Sequence, residues 1–253
     1  MKLLSLNLHL MKEEKQQEKL DRIAKFILDN DIDICIFQEV AQHKDSPKVD
    51  ELIRVDNTSY YIKKITGYNL FFHPFKLGYQ VYEEGLAILS KDKIKETTHT
   101  TLSKTKDFNN WLKRDIISCV INDVKVYNTH LGWDLENESF SEQANKMLQL
   151  LKKDNGIVFL AGDFNYPDNS KEIINIKKEL YSLADIFKIN SDLTPTFHFN
   201  LDSKLEFNGN KMIDFIFCNK LISVKDFKIV FNNLEDYVSD HSGIYCEVFD
   251  ETL

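Results

Sequence analysis

The chain has 253 residues, with 40 acidic against 32 basic side chains and a formal charge of −8. A hydrophobic share of 43% with 12% aromatics supplies a core and excludes disorder, and 8 Gly with 4 Pro exclude a collagen-like or linker-dominated chain. The acidic balance argues against a protein that holds nucleic acid mainly through its charge, because phosphate would meet a repulsive field. An enzyme that meets phosphate through a bound cation stays open.

Leu4, Leu6 and Leu8 alternate with Ser5, Asn7 and His9, the period of a strand with one buried face. The segment runs into Lys12-Glu13-Glu14 without a small-residue cleavage site, so no export signal is read there and a cytoplasmic location is expected. No apolar run approaches the ~20 residues that span a bilayer. Leu20, Ile23, Ala24 and Ile27 predict a helix over about 14–29, and Ile34-Cys35-Ile36-Phe37 a strand buried on both sides. A second helix is expected from Asn57, a good N-cap, with Tyr61, Ile62 and Ile65 turned inward. Strands are predicted at 69–73, 85–90, 94–102, 115–121 and 124–130. Ser141 reads as the cap of a helix ending near 153 that buries Ala144, Met147, Leu148 and Leu151. Then come a central strand at 157–160, a helix at 170–180, and strands at 213–218, 224–231 and 243–249. The polar stretch 190–211 reads as an irregular loop near the active face. Cys35, Cys119, Cys218 and Cys246 sit in apolar strand-like runs without metal spacing, as reduced buried thiols would. No repeat or linker divides the chain, so residues 1–253 are read as one domain with two mostly antiparallel sheets packed together and covered by helices.

The informative residues are polar ones that interrupt apolar strands. Glu39 stands at the mouth of a buried strand, where a carboxylate needs a cation or hydrogen bonds to offset desolvation. Asp163 and Asn165, two apart in Gly162-Asp163-Phe164-Asn165, share one side of an extended backbone. Asp240 and His241 are adjacent and can serve one site only from a loop, which Ser239, Ser242 and Gly243 permit. His130 ends a strand, Asp214 lies inside one, and Asn7 closes the first. Four carboxylates, two histidines and two amides converging on one face require a cation, and oxygen-rich ligation suits Mg²⁺ or Mn²⁺ rather than zinc. The histidines are then free for proton work.

In this order the residues resemble the endonuclease/exonuclease/phosphatase superfamily. The resemblance runs from Leu6-Asn7 through Gln38-Glu39, Glu84-Gly85-Leu86-Ala87-Ile88-Leu89-Ser90, Thr129-His130-Leu131, Gly162-Asp163-Phe164-Asn165 and Ile213-Asp214-Phe215 to Ser239-Asp240-His241. It implies a deoxyribonuclease-like four-layer α/β sandwich and metal-dependent hydrolysis of a phosphate ester. It also implies Glu39 as the principal metal ligand, supported by Asn7 and Asp240. By the same resemblance His241, oriented by Asp214, activates the attacking water or neutralises phosphate, and Asp163 aligns or deprotonates that water. Asn165 would hold a non-bridging oxygen, and His130, with Glu84 behind it, would donate to phosphate. Arg114 is a candidate phosphate contact, its alternative being a solvated surface charge. The basic residue often found two before the aspartate of the Ile-Asp motif is here Met212, preceded by Lys211.

Within the superfamily, Leu77-Gly78-Tyr79-Gln80-Val81-Tyr82-Glu83-Glu84-Gly85, Asn109-Asn110-Trp111 and His130-Leu131-Gly132-Trp133-Asp134 resemble bacterial sugar-phosphatases of the maltose 6′-phosphate phosphatase type, with Gln80 where an aspartate is common. That resemblance implies a phosphorylated sugar or similar small molecule as substrate, Trp133 stacking on the ring, Asp134 accepting from hydroxyls, and Tyr79 and Tyr82 walling the pocket. A nuclease or other phosphodiesterase on the same scaffold is the alternative, disfavoured by the net charge and by the lack of a Lys/Arg stripe beside the motifs. A non-catalytic binding module is the third reading, and the intact set of eight residues argues against it. Membrane docking is not expected, and oligomeric state is not legible.

Overall fold

The computed structural model describes residues 1–135, 137–201 and 204–249. Strand β1 (Lys2–Asn7) leads to helix α1 (Gln16–Asp29) and strand β2 (Ile34–His43), followed by α2 (Thr58–Thr66), β3 (Asn69–Gly78), β4 (Tyr82–Ser90) and β5 (Lys95–Thr101). Next come β6 (Asp115–Ile121), β7 (Val124–His130), α3 (Phe140–Leu151), β8 (Val158–Asp163), α4 (Lys171–Lys177), β9 (Tyr181–Ser182) and α5 (Leu183–Ile186). A hairpin of β10 (Phe197–Leu201) and β11 (Lys204–Lys211) precedes β12 (Asp214–Cys218), β13 (Ser223–Val230) and β14 (Gly243–Phe249).

Two six-stranded sheets result, one ordered β13-β14-β1-β2-β4-β3 and the other β5-β6-β7-β8-β12-β9. Each holds one parallel pair, β1 with β2 and β7 with β8, among antiparallel neighbours. Leu3, Ile34, Ile36, Leu86 and Ile88 of the first sheet pack on the second, whose outer face carries Ala144, Met147 and Leu151 of α3 and Ile173 and Ile176 of α4. Leu4, Leu6, Cys35 and Phe37 instead pack against Leu20, Ile23, Ala24 and Ile27 of α1 and Ile62 of α2. Helix, sheet, sheet and helix therefore form four layers, the expected α/β sandwich.

The first strand corrects the expectation of a single buried face. Ser5 and Asn7 are as buried as Leu4 and Leu6, because the second sheet covers the side that the helices do not. Asn57 caps α2 by accepting from the Tyr60 amide, and Ile62 is buried as expected, but Ile65 is exposed, because the buried face of the helix runs through Thr58, Ser59 and Ile62. Ser139 rather than Ser141 caps α3; the Ser139-Phe140-Ser141-Glu142 spacing is that of a capping box, and the buried Phe140 fixes the entry. The stretch 190–211 is not an irregular loop, since it contains the β10–β11 hairpin; residues 202 and 203 lie outside the described residues.

A polar clasp joins the two sheets under the active face. Gln38 Nε2 donates to Asn128 Oδ1 at 2.8 Å, and the Asn128 amide donates to the carbonyls of Phe37 (2.8 Å) and Ala87 (2.9 Å). Both side chains are fully buried. Asn128→Leu fills a similar volume but strands one donor and two acceptors. The expected loss is roughly 3 kcal/mol or more, a fall in Tm of roughly 6–12 °C, read by thermal or urea unfolding; a wild-type Tm would contradict the clasp.

Candidate active site

Strand register alone gathers the chemistry. In the parallel β7–β8 pair His130 lies beside Asp163, and in the antiparallel β8–β12 pair Asp163 lies beside Asp214. In the other sheet Asn7 lies beside Gln38, next to Glu39. The ends of both parallel pairs and the starts of β12 and β14 thus meet at one edge of the sandwich. They open on a cavity of ≈ 740 Å³ lined by Glu39, Glu84, Arg114, His130, Asp163, Asn165, Asp240 and His241, with Tyr79, Trp111 and Trp133 among its walls.

Local backbone departures aim these side chains. Strand β2 bulges against β4 between Phe37 and Val40, and Glu39 takes φ 47° there, a left-handed conformation that costs about 1 kcal/mol or more. His9, Leu10, Tyr79, Gln80 and Asn165, all lining the same cavity, share positive φ. Gly162 is required for close approach: a Cβ there would lie 1.9 Å from the Thr129 carbonyl oxygen. The segment carrying Asp240 and His241 is held by the hairpin, through His198 N to the Asp240 carbonyl (2.9 Å) and Ser242 N to the Thr196 carbonyl (2.8 Å). Thr196 Oγ1 also accepts from the Asp214 amide at 3.1 Å.

The Asn7 amide nitrogen donates to Glu39 Oε1 (3.1 Å) and to Asp163 Oδ2 (3.0 Å). Ligand atoms of Glu39, His130 and Asp163 lie within 4.8 Å of one another, and those of Asp163, Asp214 and His241 do likewise. Asp214 Oδ2 accepts from His241 Nδ1 at 2.9 Å, leaving His241 Nε2 3.7 Å from Asp163 Oδ2. Burial would lower the His241 imidazolium, but Asp214 and Asp163 outweigh it and hold the ring well above its usual range, so it is charged at neutral pH. Burial, with the Asp214 charge, pushes the Asp163 carboxyl up to about 7 despite its bond from the Asn165 amide. Burial also raises Asp240. His130 is held well below its usual value by burial and by Arg114 and Lys76, and is neutral. The crowding of the Glu39, Asp163 and Asp240 carboxylates, the last two raised by burial, fits a divalent cation held by Glu39 and Asp240 with Asn7 in support.

Placement of the remaining expected residues is mixed. Asn165 lines the cavity with one amide hydrogen on the Leu131 carbonyl (2.8 Å), and the other has no partner among the described residues. Arg114 is not a solvated charge: it is 2% exposed, anchored by Nη1 on the carbonyls of Trp111 and Lys113. Glu84 is 3.9 Å from His130 Nδ1, beyond hydrogen-bond reach, and pairs at 2.9 Å with Lys76. Tyr79 and Trp133 stand on the rim, Tyr79 hydrogen-bonded by Lys12 at 2.5 Å. The expected wall residue Tyr82 and the expected hydroxyl acceptor Asp134 are not among the residues lining the cavity. The Tyr82 ring packs on His43, and both Asp134 oxygens are engaged, by the Phe140 amide at the start of α3 and by the Tyr166 hydroxyl. Sequence reasoning missed Lys76, whose signal was a lysine between Phe75 and Leu77 in an apolar strand. It also missed His9, which bonds Glu13 at 2.6 Å and lies 3.5 Å from Asp240.

Because Asp163 keeps its proton to about pH 7, a cation that favours the carboxylate must release that proton. Mg²⁺ affinity should therefore rise with pH toward 7 and then level off. Titration calorimetry at pH 6.5 in two buffers of different ionisation enthalpy should show net proton release; equal heats in both would contradict the assignment.

Residues 4–241 match the Endonuclease/Exonuclease/phosphatase family. Comparison with curated protein sequences gives no match. Among solved structures, the chain is similar to an endonuclease/exonuclease/phosphatase family protein from Leptotrichia buccalis C-1013-b, at 26% identity and TM-score 0.88, over 99% of this chain and 100% of that one. It is also similar to a mannosyl-6-phosphatase of Bacteroides thetaiotaomicron VPI-5482, at 20% identity and TM-score 0.71, over 99% and 100%. A third similar structure is D. rerio TDP2 complexed with single-strand DNA product, at 16% identity and TM-score 0.75, over 99% of both chains. The last two likenesses bear on the fold. The chain belongs to the endonuclease/exonuclease/phosphatase family.

Proposed function

We propose that this chain is a Mg²⁺- or Mn²⁺-dependent phosphoesterase, working as one domain, that hydrolyses a small phosphomonoester such as a sugar phosphate by direct attack of water. The observation that carries this reading is the charge arrangement at the strand ends. A charged His241 and an Asp163 carboxyl near pH 7 flank the Glu39–Asn7 cluster in one cavity.

Glu39, with Asn7 and Asp240, would hold the cation, which when bound draws electron density from the phosphoryl oxygens. His241 is already protonated and held by Asp214, so it donates from Nε2 to a phosphoryl oxygen instead of accepting a proton from water. Asp163 is the remaining base. As the water oxygen bonds to phosphorus and the ester P–O bond breaks, the water's proton passes to Asp163, and the leaving oxygen takes a proton from solvent and departs as the alcohol. The second amide hydrogen of Asn165 and an N–H of neutral His130 stabilise charge on the oxygens, donors fixed before reaction begins. Trp133, Trp111 and Tyr79 give the rim aromatic faces on which a sugar ring can stack. The mannosyl-6-phosphatase likeness supports a sugar phosphate, while the DNA-bound TDP2 likeness favours a nuclease as the second reading. Net charge of −8 weighs against nucleic acid. No helix of the described residues is long and apolar enough to cross a membrane, and four free buried cysteines fit the reducing cytoplasm.

Assays with p-nitrophenyl phosphate, bis(p-nitrophenyl) phosphate and supercoiled plasmid, each with Mg²⁺ and with EDTA, test the reading. Metal-dependent turnover of the monoester above the diester is expected, and phosphorylated sugars should release phosphate; plasmid nicking as the dominant activity would overturn it. His241→Ala should lower monoester kcat by ~10²–10⁴ with the fold retained, and an unfolded variant would make His241 structural.

A further inference from the structure

The wall facing the carboxylates carries a charge that the hydrolytic machinery leaves unused. Lys76 follows a bulge of β3 between Pro74 and Lys76, which turns it from the strand's edge into the cavity. It is 6% exposed and Arg114 2%, and both line the cavity beside His130. Lys76 Nζ forms an ion pair with Glu84 Oε1 at 2.9 Å, and that oxygen has no aligned hydrogen bond among the described residues. Arg114 Nε is buried without a partner. Two cations against the single Glu84 carboxylate leave this wall net positive.

A buried lysine–glutamate pair is costly to desolvate and stabilises a fold little beyond what apolar residues would. A pair with a purely structural role has no need of unpartnered donors at a cavity wall. The Lys76 ammonium and the Arg114 guanidinium, both lining the cavity, match a tetrahedral oxyanion, and their excess charge matches the difference between two ester classes. A diester carries one negative charge, which the metal site and His241 meet. A monoester brings a second, and a wall whose two cations are buried distinguishes the two. We propose that Lys76, set by Glu84 and acting with Arg114, is the specificity-determining residue that reads the second negative charge of a phosphomonoester. The proposal rests on the monoester reading above and names how it is achieved.

The test is the ratio of kcat/KM for p-nitrophenyl phosphate to that for bis(p-nitrophenyl) phosphate. Lys76→Met removes the ammonium at near-constant volume and takes the wall from one net positive charge to none. The ratio should fall about 30-fold or more, mainly through monoester KM, and competitive inhibition by inorganic phosphate should weaken about 10-fold or more. Lys76→Arg, which keeps the charge, should retain most of the ratio. An unchanged ratio in folded Lys76→Met would overturn the proposal while leaving a monoesterase intact. A wild-type enzyme that prefers the diester would instead defeat the monoester reading, before any variant is made. Should Lys76→Met fail to fold, Arg114→Gln, which also takes the wall to zero, is read the same way, and an unchanged ratio there overturns the proposal.

Discussion

Glu39 and Asp163 are bonded to a single amide nitrogen, that of Asn7, and Asp240 lines the same cavity. Like charges so placed repel, and burial raises the cost because little water screens them. The protein relieves part of this strain: Asp163 holds a proton to about pH 7, and His241 remains charged between Asp214 and Asp163. A divalent cation bound among them would relieve the rest, so the fold holds repelling groups together where such an ion would fit.

Everything that positions the cluster follows from this constraint. Each sheet has one parallel pair whose ends reach the same edge, and the Gln38–Asn128 clasp locks the two edges together from beneath. Gly162 lets β8 lie close enough to Thr129 to bring Asp163 beside His130. Positive φ angles at Glu39 and Asn165 store local strain where side chains must turn from strand into cavity. The β10–β11 hairpin then clamps the segment through which two adjacent residues, Asp240 and His241, reach one site.

Much of this was legible in the sequence, because carboxylates, amides and histidines that interrupt apolar strands are expensive to bury and so mark where strands end in a site. Strands 115–121, 124–130 and 243–249 agree with the observed ranges residue for residue. What failed depended on tertiary contact. Periodicity could not show that a second sheet covers Ser5 and Asn7, nor that polar residues over 190–211 pair as a hairpin, since their partners include the distant His241 segment. Asp134 and Tyr82 carried plausible chemistry, but the start of α3 and His43 claim their side chains. Lys76 obeys the same rule that singled out Asp214, a charge within an apolar strand, and was missed because lysine on a strand is ordinarily a solvated edge.

The central claim is that these acidic side chains form one divalent-cation site. Mn²⁺ binding followed by electron paramagnetic resonance, in wild type and in Glu39→Gln, measures it directly. Saturable binding in the wild type, lost or weakened about 10-fold or more in a folded Glu39→Gln, is predicted. Absence of saturable binding, or affinity unchanged by the substitution, would contradict the account.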